Sequence, residues 1–203
     1  MKIAILGAGN VGMALANGWA KAGHSIILGL KDPQNEKTSS LLKENITAKT
    51  TAEASAEADV ILISLPVSAT VSVLKEIGNV KEKIIIDATN SVFGKPDPYN
   101  NCFEAVKDIT KCEKVVKCFN STGFENMSDP VYGNLRLDMF AAGSSEEAKK
   151  IAVKLSEDLG FENCYDFGGD DKVDLLEQFA MSWINLAIVQ KHGRDIAFKV
   201  LKR

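Results

Sequence analysis

The sequence predicts a doubly wound α/β fold, in which helices cover both faces of a mostly parallel sheet. Apolar runs of strand length alternate with amphipathic stretches of helix length along most of the chain. Two runs, in DVILIS (59–64) and KIIIDATN (83–90), have apolar centres without a polar break, as strands buried on both faces require. The first run leads into glycines spaced G-x-G-x-x-G, which a helix-length stretch follows.

The first half of the chain reads as strands and helices in regular alternation, which is typical of a parallel sheet with crossover helices. Gly23 ends the first helix in the manner of a C-terminal glycine. The predicted strands comprise residues 3–6, 25–28, 46–48 (a short edge strand), 59–64 and 83–90. The predicted helices comprise residues 11–21, 35–43, 51–58 and 68–77.

The second half continues the pattern with longer interruptions. Its predicted strands comprise residues 115–119, 139–142 and 163–167, and its predicted helices residues 145–159, 171–190 and 194–201. The SSEE sequence at the start of the first of these helices predicts a capping box. The segments 91–103 and 121–138 fit no regular element and follow the carboxyl ends of central strands, where open α/β sheets bind ligands. We predict one Rossmann-type domain over 1–203, with 145–203 as its C-terminal extension.

Composition excludes several classes of function. The net charge is −3 and charges of both signs are interspersed, which argues against binding to nucleic acid or to an anionic membrane surface. No apolar run reaches the length of about 18 residues that a membrane span needs. The N-terminus lacks a secretory layout, so we expect a cytoplasmic protein.

The four cysteines form no C-x-x-C pair and have no histidine nearby. Metal binding and disulfides are therefore not expected, and the cysteines are interpreted as small apolar residues. They are Cys102, Cys112, Cys118 and Cys164.

The glycine motif has the context that a phosphate-binding turn requires, since a predicted strand precedes it and an amphipathic helix follows. In such a turn the first glycine permits the bend, the second lets the backbone approach a pyrophosphate, and the third lets helix and strand pack closely. The helix dipole then favours the anion. The predicted contacts are Gly7, Ala8, Gly9, Asn10, Val11 and Gly12.

The end of the second strand bears on the choice between NADP and NAD. An NAD site usually has an acidic residue there, about twenty residues after the glycine turn. This chain has Leu30 and Lys31 instead, and a cation can meet a ribose 2′-phosphate. We therefore predict both residues at the cofactor, with NADP favoured over NAD. Asp32 opposes this prediction, because an inward carboxylate would repel a phosphate.

Residues after three further strands complete the predicted cofactor site. Leu65, Pro66 and Val67 follow the fourth strand, and the proline gives a rigid apolar floor for a nicotinamide ring. A Leu-Pro pair is also typical of a plain boundary between strand and helix. Asn90 and Asn120 end the next two strands and offer amides to a carboxamide or a ribose. We expect these strand ends to line one cleft.

The sequence offers no obvious catalytic acid. His24 is predicted in a surface turn away from the cleft, and His192 beside a helix end. We therefore predict no catalytic side chain, because hydride transfer between two cofactors mainly needs two rings held face to face in a dry slot. The segment 175–190 is apolar nearly all round, which packing on the sheet explains; a dimer partner or a flat aromatic ligand is compatible with it.

Several segments taken together resemble the NADP oxidoreductase family that depends on coenzyme F420, a 5-deazaflavin. The chain is also similar to the cytosolic reductase domain of membrane ferric reductases, without their transmembrane part. The segments are ILGAGNVGMALANGWAKAGHSIILG (5–29), ADVILISLP (58–66), KCFNSTGFENM (117–127), MFAAGSSEEAKKIAVKLSEDLGF (139–161) and LLEQFAMSWINLA (175–187).

The resemblance implies a hydride transfer between carbon 4 of the nicotinamide and carbon 5 of a deazaflavin, with no side chain as obligatory acid. It implies pyrophosphate on the glycine turn, nicotinamide against residues 65–67, and the segment 120–123 beside the transferring carbon. The family pattern after the second strand is a small hydroxyl residue and an arginine, where this chain has Leu30 and Lys31. The hydroxyl contact is therefore lost here.

We interpret the chain as an NADP-dependent reductase of a planar acceptor, either a deazaflavin or a flavin. One alternative is reduction of a small carbonyl or imine, with Tyr132 or Tyr99 as proton donor. Another is a non-catalytic dinucleotide-binding sensor whose long loops meet another protein.

Overall fold

The computed structural model describes residues 1–91 and 94–203, which form ten strands and eight α-helices. The strands are β1 (Lys2–Leu6), β2 (Ser25–Leu30), β3 (Ile46–Thr50), β4 (Val60–Ile63), β5 (Ile84–Asp87), β6 (Val115–Cys118), β7 (Val131–Tyr132), β8 (Leu135–Arg136), β9 (Asp138–Ala142) and β10 (Asn163–Asp166). The helices are α1 (Asn10–Lys21), α2 (Glu36–Ser39), α3 (Thr51–Glu57), α4 (Val67–Glu76), α5 (Cys102–Thr110), α6 (Phe124–Ser128), α7 (Glu146–Leu159) and α8 (Val173–Ile184). A 3-10 turn (Asp170–Lys172) precedes α8, and a π-helical turn (Asn185–Val189) continues it.

Eight strands form one sheet in the order β10-β9-β6-β5-β4-β1-β2-β3. The six strands from β6 to β3 are parallel, whereas β9 runs antiparallel to β6 and β10 runs parallel to β9. The chain passes from β1 to β2 and β3 on one side and then crosses to β4 on the other, so the switch point lies between β1 and β4. This is the doubly wound order of the Rossmann fold and confirms the predicted fold class.

Alternating side chains of the parallel strands fill a separate core on each face of the sheet. Ile3 and Ile5 of β1 pack on the face covered by α1 and α7, where the indole nitrogen of Trp19 donates to the Leu155 carbonyl at 2.9 Å. Leu6 belongs to the opposite core, to which α3, α4, α5 and α8 contribute. Every central strand is therefore buried on both sides, as its apolar composition indicates.

Three predicted elements differ from the structure. The helix expected over 35–43 is only the four residues of α2. Ser145 does cap α7, since its hydroxyl accepts from the Ala148 amide at 3.2 Å. Because the third helical position is Ala148, however, no carboxylate can complete the predicted capping box; the complete box belongs to Thr50 and Glu53 at α3.

The third difference is at the C-terminus, where residues 194–201 form no helix. Their backbone groups bond to side chains of other elements. The Ile196 carbonyl accepts from the Asn126 amide at 2.8 Å and from the Trp183 indole, and the Val200 amide donates to Asp138 at 2.8 Å. These partners satisfy the backbone without a helix, so the prediction of a second C-terminal helix was wrong.

The two irregular segments contain structure of their own. The segment 121–138 contains α6 and the hairpin of β7 and β8. The segment 91–103 leads into α5, a helix that no pattern had indicated, with Asn101 as its N-cap; residues 92–93 lie outside the described part. Across the described ranges, no helix combines the length and apolar character that a membrane crossing requires.

Candidate dinucleotide-binding site

The turn between β1 and α1 can be built only with glycine at two positions. Gly7 has a φ of 110°, and a Cβ there would overlap the Ser64 carbonyl oxygen at the end of β4. A Cβ on Gly12 would overlap the Gly7 carbonyl oxygen and lie 2.7 Å from the Ser64 hydroxyl. Gly7 thus permits the bend, and Gly12 permits close packing of helix on strand.

Gly9 differs from these two glycines because an added side chain would meet open space. Apart from residues 8–10, a Cβ there would have no neighbour within 4 Å, and the φ of −79° suits any residue. Gly9 is the N-cap of α1, and no described side chain caps that helix. The first amides of α1 therefore face an open space, which fits an anionic group such as a pyrophosphate.

The end of β2 presents Lys31 to solvent. Leu30 is the last residue of β2, lies in register with Thr50 of β3, and packs its side chain on the core. Lys31 is exposed and makes no hydrogen bond or ion pair within the described part of the chain. The Asp32 carboxylate accepts from the Gln34 amide at 3.2 Å, which holds it in its own turn.

The segment after β4 joins the glycine turn to the neighbouring cleft. The Ser64 hydroxyl donates to the Gly7 carbonyl at 2.8 Å, and α4 begins at Val67 with Pro66 as its N-cap. Val67 and Asn90 line a cavity of ≈ 400 Å³. The full lining is Val67, Ser68, Asn90, Gly94 and Lys95.

Asn90 and Asn120 pair with each other beyond the ends of β5 and β6. The side-chain amide of Asn90 donates from Nδ2 to the backbone carbonyl of Asn120 at 2.8 Å. The side-chain amide of Asn120 donates in turn to Asn90 Oδ1 at 3.0 Å. Asn120 Oδ1 is buried and has no hydrogen-bond partner among the described residues. The sequence analysis placed both residues in one cleft, and the structure brings their side chains into contact.

Phe119 turns the chain between β6 and Asn120. Its φ of 60° lies in the left-handed region, which costs a residue other than glycine about 1–2 kcal/mol. The ring is fully buried, with its centroid 5.4 Å from that of Trp19 in an edge-to-face contact. The core therefore holds Phe119 in this conformation. Sequence reasoning missed this role, since a phenylalanine after an apolar strand reads as one more strand residue.

A buried ion cluster lies directly behind this edge of the sheet. Lys117 of β6 has no exposed surface, and its Nζ lies 2.9 Å from Asp87 Oδ2 and 2.5 Å from Glu177 Oε1. Burial alone would lower the pKa of Lys117, but the two carboxylates outweigh it, and the pKa lies above its usual value. Sequence analysis missed this cluster, although a lysine inside the apolar run VVKCF was a signal for it.

Aromatic residues of α6 and α8 pack beside the segment that follows β6. A Cβ on Gly123 would come within 2.9 Å of two carbons of the Trp183 ring, so α8 packs closely on the segment after β6. The Arg194 guanidinium lies 5.2 Å from the Phe124 ring centroid and 5.3 Å from that of Trp183, and it bonds to Glu125. This contact fastens the C-terminal segment to α6 and α8.

His24 lies in the turn between α1 and β2 and away from the glycine turn, as predicted, but it is not on the surface. His24 is buried, and its Nε2 lies 3.0 Å from Asp158 Oδ2. It precedes β2 and so lies at the edge of the sheet opposite the glycine turn. Its ring is thus part of the packing between α1 and α7. His192 lies just beyond the π-helical turn, beside a helix end as predicted, and it is exposed.

Both tyrosine hydroxyls considered as proton donors have partners. Tyr132 donates to Asn126 Oδ1 at 2.6 Å, and Tyr99 donates to Asp108 Oδ2 at 2.7 Å. Burial raises the pKa of Tyr132, and the bond to Asp108 raises the pKa of Tyr99. Both changes make proton donation at neutral pH harder.

The fold is of the Rossmann type, and the glycine turn, the uncapped helix and the polar strand ends are arranged as in the dinucleotide-binding members of that class. Residues 2–91, which run from β1 to just beyond β5, match the family model described as NADP oxidoreductase, coenzyme F420-dependent. The resemblance stated from the sequence is supported in this part of the chain.

Relatives and solved structures extend the likeness over the whole chain. The F420-dependent NADP reductase of Methanocaldococcus jannaschii is 28% identical over 214 residues, covering 94% of this chain and 94% of its own. A solved structure of a putative F420-dependent NADP-reductase from Arthrobacter sp. FB24 has a TM-score of 0.84 at 25% identity and covers 100% of both chains. The Streptomyces aurantiacus imine reductase, with a TM-score of 0.69 at 13% identity over 94% of this chain and 64% of its own, shares the fold.

Proposed function

We propose that the chain is an NADP-dependent oxidoreductase that transfers a hydride between NADPH and a planar redox partner of the deazaflavin or flavin type. The observation that carries the proposal is the open space at Gly9, directly over the uncapped start of α1. That space lies at the switch point of the sheet, where this fold holds a pyrophosphate. The names of the relatives support the deazaflavin as acceptor.

The proposal assigns a role to each segment at the carboxyl ends of the parallel strands. The backbone from Gly7 to Gly12 binds the pyrophosphate, and the exposed Lys31 meets the 2′-phosphate beside Leu30. The segment Leu65, Pro66 and Val67 forms the apolar floor of the nicotinamide end. Asn90 and Asn120 place amide groups beside it. A bound NADPH supplies the hydride, and these residues bind it, orient it and exclude water.

No acid is assigned. Hydride transfer between two rings requires that the rings be held face to face, not that a side chain donate a proton. Both tyrosine hydroxyls near the long loops are already hydrogen-bonded. Reduction of a small carbonyl or imine remains the second enzymatic hypothesis. The third hypothesis is a sensor that is not an enzyme. Turnover separates them: the proposal requires NADPH oxidation by a deazaflavin or flavin, whereas a sensor binds NADPH without oxidising it.

The first test is a titration of the protein with NADPH and with NADH, followed by nicotinamide fluorescence. We expect tighter binding of NADPH. Lys31→Asp removes one ionic contact with the 2′-phosphate and should weaken NADPH binding about tenfold while sparing NADH. The matched control is Lys150→Asp, which changes an exposed lysine on α7 and should alter neither affinity. Unchanged preference in Lys31→Asp would remove that role, and binding of neither nucleotide would overturn the proposed function.

Two further interpretations stay proposals. A homodimer through the segment 175–189 would cover Leu175, Ile188 and Val189, which are exposed. Light scattering tests this, and a monomer would end it. If the chain shares the chemistry of the cytosolic domain of membrane ferric reductases, as the sequence resemblance implies, it should turn over ferric chelates, which the same NADPH oxidation assay can measure.

A further inference from the structure

In the buried ion cluster of Asp87, Lys117 and Glu177, only one oxygen of each carboxylate accepts a hydrogen bond from Lys117. Each carboxylate gives one oxygen to Lys117 and has a second oxygen free for other donors. The cluster joins β5, β6 and α8, and Asp87 and Lys117 are partners in the β5–β6 register. The lysine Nζ is sealed from the cleft, so it cannot touch a bound cofactor.

The second oxygens hold the segment that follows β5. Asp87 Oδ1 accepts from the Thr89 amide at 3.0 Å and from the Thr89 hydroxyl at 2.7 Å. Glu177 Oε2 accepts from the Ser91 amide at 3.0 Å. The two carboxylates therefore accept hydrogen bonds from the backbone amides on both sides of Asn90. Asn90 itself lines the cavity beside Val67.

Packing alone gives no reason to keep three charges there. Apolar side chains of similar volume usually stabilise a core at least as well as a buried ion cluster does. An apolar core, however, could not accept hydrogen bonds from the Thr89 and Ser91 amides. The charged cluster does so in a fixed direction, because Lys117 holds both carboxylates.

We propose that Lys117, Asp87 and Glu177 are positioning residues that fix Asn90 at the nicotinamide end of the cleft. The expected effect on ligand binding rests on the proposed function, in which Asn90 contacts the nicotinamide half of NADP. The three residues act through the backbone of 89–91 and leave the adenosine end, at the glycine turn and Lys31, untouched.

Glu177→Gln tests the proposal with a minimal change of shape. Lys117 and the Ser91 backbone amide donate to different oxygens of Glu177, Oε1 and Oε2. In glutamine an NH2 donor replaces one of these oxygens, so in the same side-chain geometry one of the two bonds is lost. The matched control is Asp174→Asn one turn earlier on α8, whose carboxylate bonds to the Asn101 amide at 2.9 Å instead. Thr89→Val removes one donor at the other end of the segment and serves if Glu177→Gln does not fold.

Two measurements are made on each variant. Hydrogen exchange of the free protein reports on the amides of residues 89–91, with Ile84–Asp87 as the internal reference. Binding is measured for NADPH and for 2′-phospho-ADP-ribose, which is NADP without its nicotinamide. In Glu177→Gln we expect exchange at Ser91 and the dissociation constant for NADPH each to rise about tenfold. The affinity for 2′-phospho-ADP-ribose and the exchange of β5 should stay at the wild-type level.

The outcomes separate the two proposals. Equal losses for both ligands, or faster exchange throughout β5, would indicate general destabilisation and overturn the positioning role. Unchanged exchange at Ser91 would overturn it as well. If the wild-type protein binds neither ligand, the proposed function fails, and the exchange result alone decides whether the cluster holds the segment around Asn90.

Discussion

Alanine at Gly9 and alanine at Gly12 are expected to act on different properties of the protein. The two glycines lie three residues apart in one turn and receive the same added methyl group. Gly9→Ala should fold normally and lose affinity for the cofactor. Gly12→Ala should lower the free energy of unfolding, whether or not the cofactor is present. The contrast tests the turn as a binding device rather than a packing device alone.

The structure sets the expected size of the Gly9 effect. The φ of −79° and ψ of −169° are allowed for alanine, and apart from residues 8–10 themselves no atom lies within 4 Å of the new Cβ. Alanine restricts the unfolded chain, so the free energy of unfolding should change by less than about 1 kcal/mol, in the stabilising direction. The methyl group occupies the approach to the α1 amides. Each lost bond to a phosphate is worth about 1.5–3 kcal/mol, or about 10–150-fold in NADPH affinity.

Gly12→Ala places its methyl group against backbone. The new Cβ would overlap the Gly7 carbonyl oxygen and approach the Ser64 hydroxyl to 2.7 Å, so α1 must move away from β1. Forced overpacking of this kind typically costs about 1–3 kcal/mol. In a chain of this length, that corresponds to a fall of about 2–12 °C in melting temperature.

Thermal unfolding followed by circular dichroism and NADPH titration followed by fluorescence measure both properties in both variants. Gly9→Ala with wild-type NADPH affinity would refute the assignment of the turn to the pyrophosphate. Gly12→Ala with a wild-type melting temperature would refute the packing argument drawn from the geometry.

Three further predictions concern stability. Ser64→Ala removes the bond to the Gly7 carbonyl and should lower the free energy of unfolding by about 1 kcal/mol in urea titrations. Arg194→Ala should speed proteolytic trimming of the C-terminus at an unchanged melting temperature, because it frees only that segment. Burial would raise the pKa of the Asp170 carboxyl, but the bond to Lys107 and a backbone amide outweigh it, so the pKa is lowered. Asp170→Asn should therefore cost about 1 kcal/mol at pH 7, and the difference from the wild type should shrink as pH falls through about 4 and vanish below.

The sheet could be predicted because its strands carry their own signal. The apolar centres of β4 and β5 leave no polar face, and residues 3–6 lead directly into a glycine turn. The C-terminal segment 194–201 was predicted to be a helix, and that prediction was wrong. Asp138, Asn126 and Trp183 supply the backbone partners that a helix would otherwise supply. Tertiary contacts overrode local pattern there.

The candidate site divides in the same way. The glycine turn is local, since Gly7 and Gly12 are five residues apart and each role follows from the spacing. The ion cluster joins residues that are 30 and 60 positions apart, so no short motif can encode it. The left-handed Phe119 depends on the Trp19 ring beside it, and a sequence pattern does not report that contact.

The end of β6 shows how these long-range contacts set the geometry of the cleft. Lys117 points toward α8, where Glu177 holds it, whereas Cys118 points into the core under α1. Phe119 then bends the backbone while its ring stays in the α1 core, and Asn120 follows at the edge. Both faces of the sheet thus fix the direction in which Asn120 leaves the strand. A change in either core should move this asparagine, while the glycine turn on β1 keeps its own local constraints.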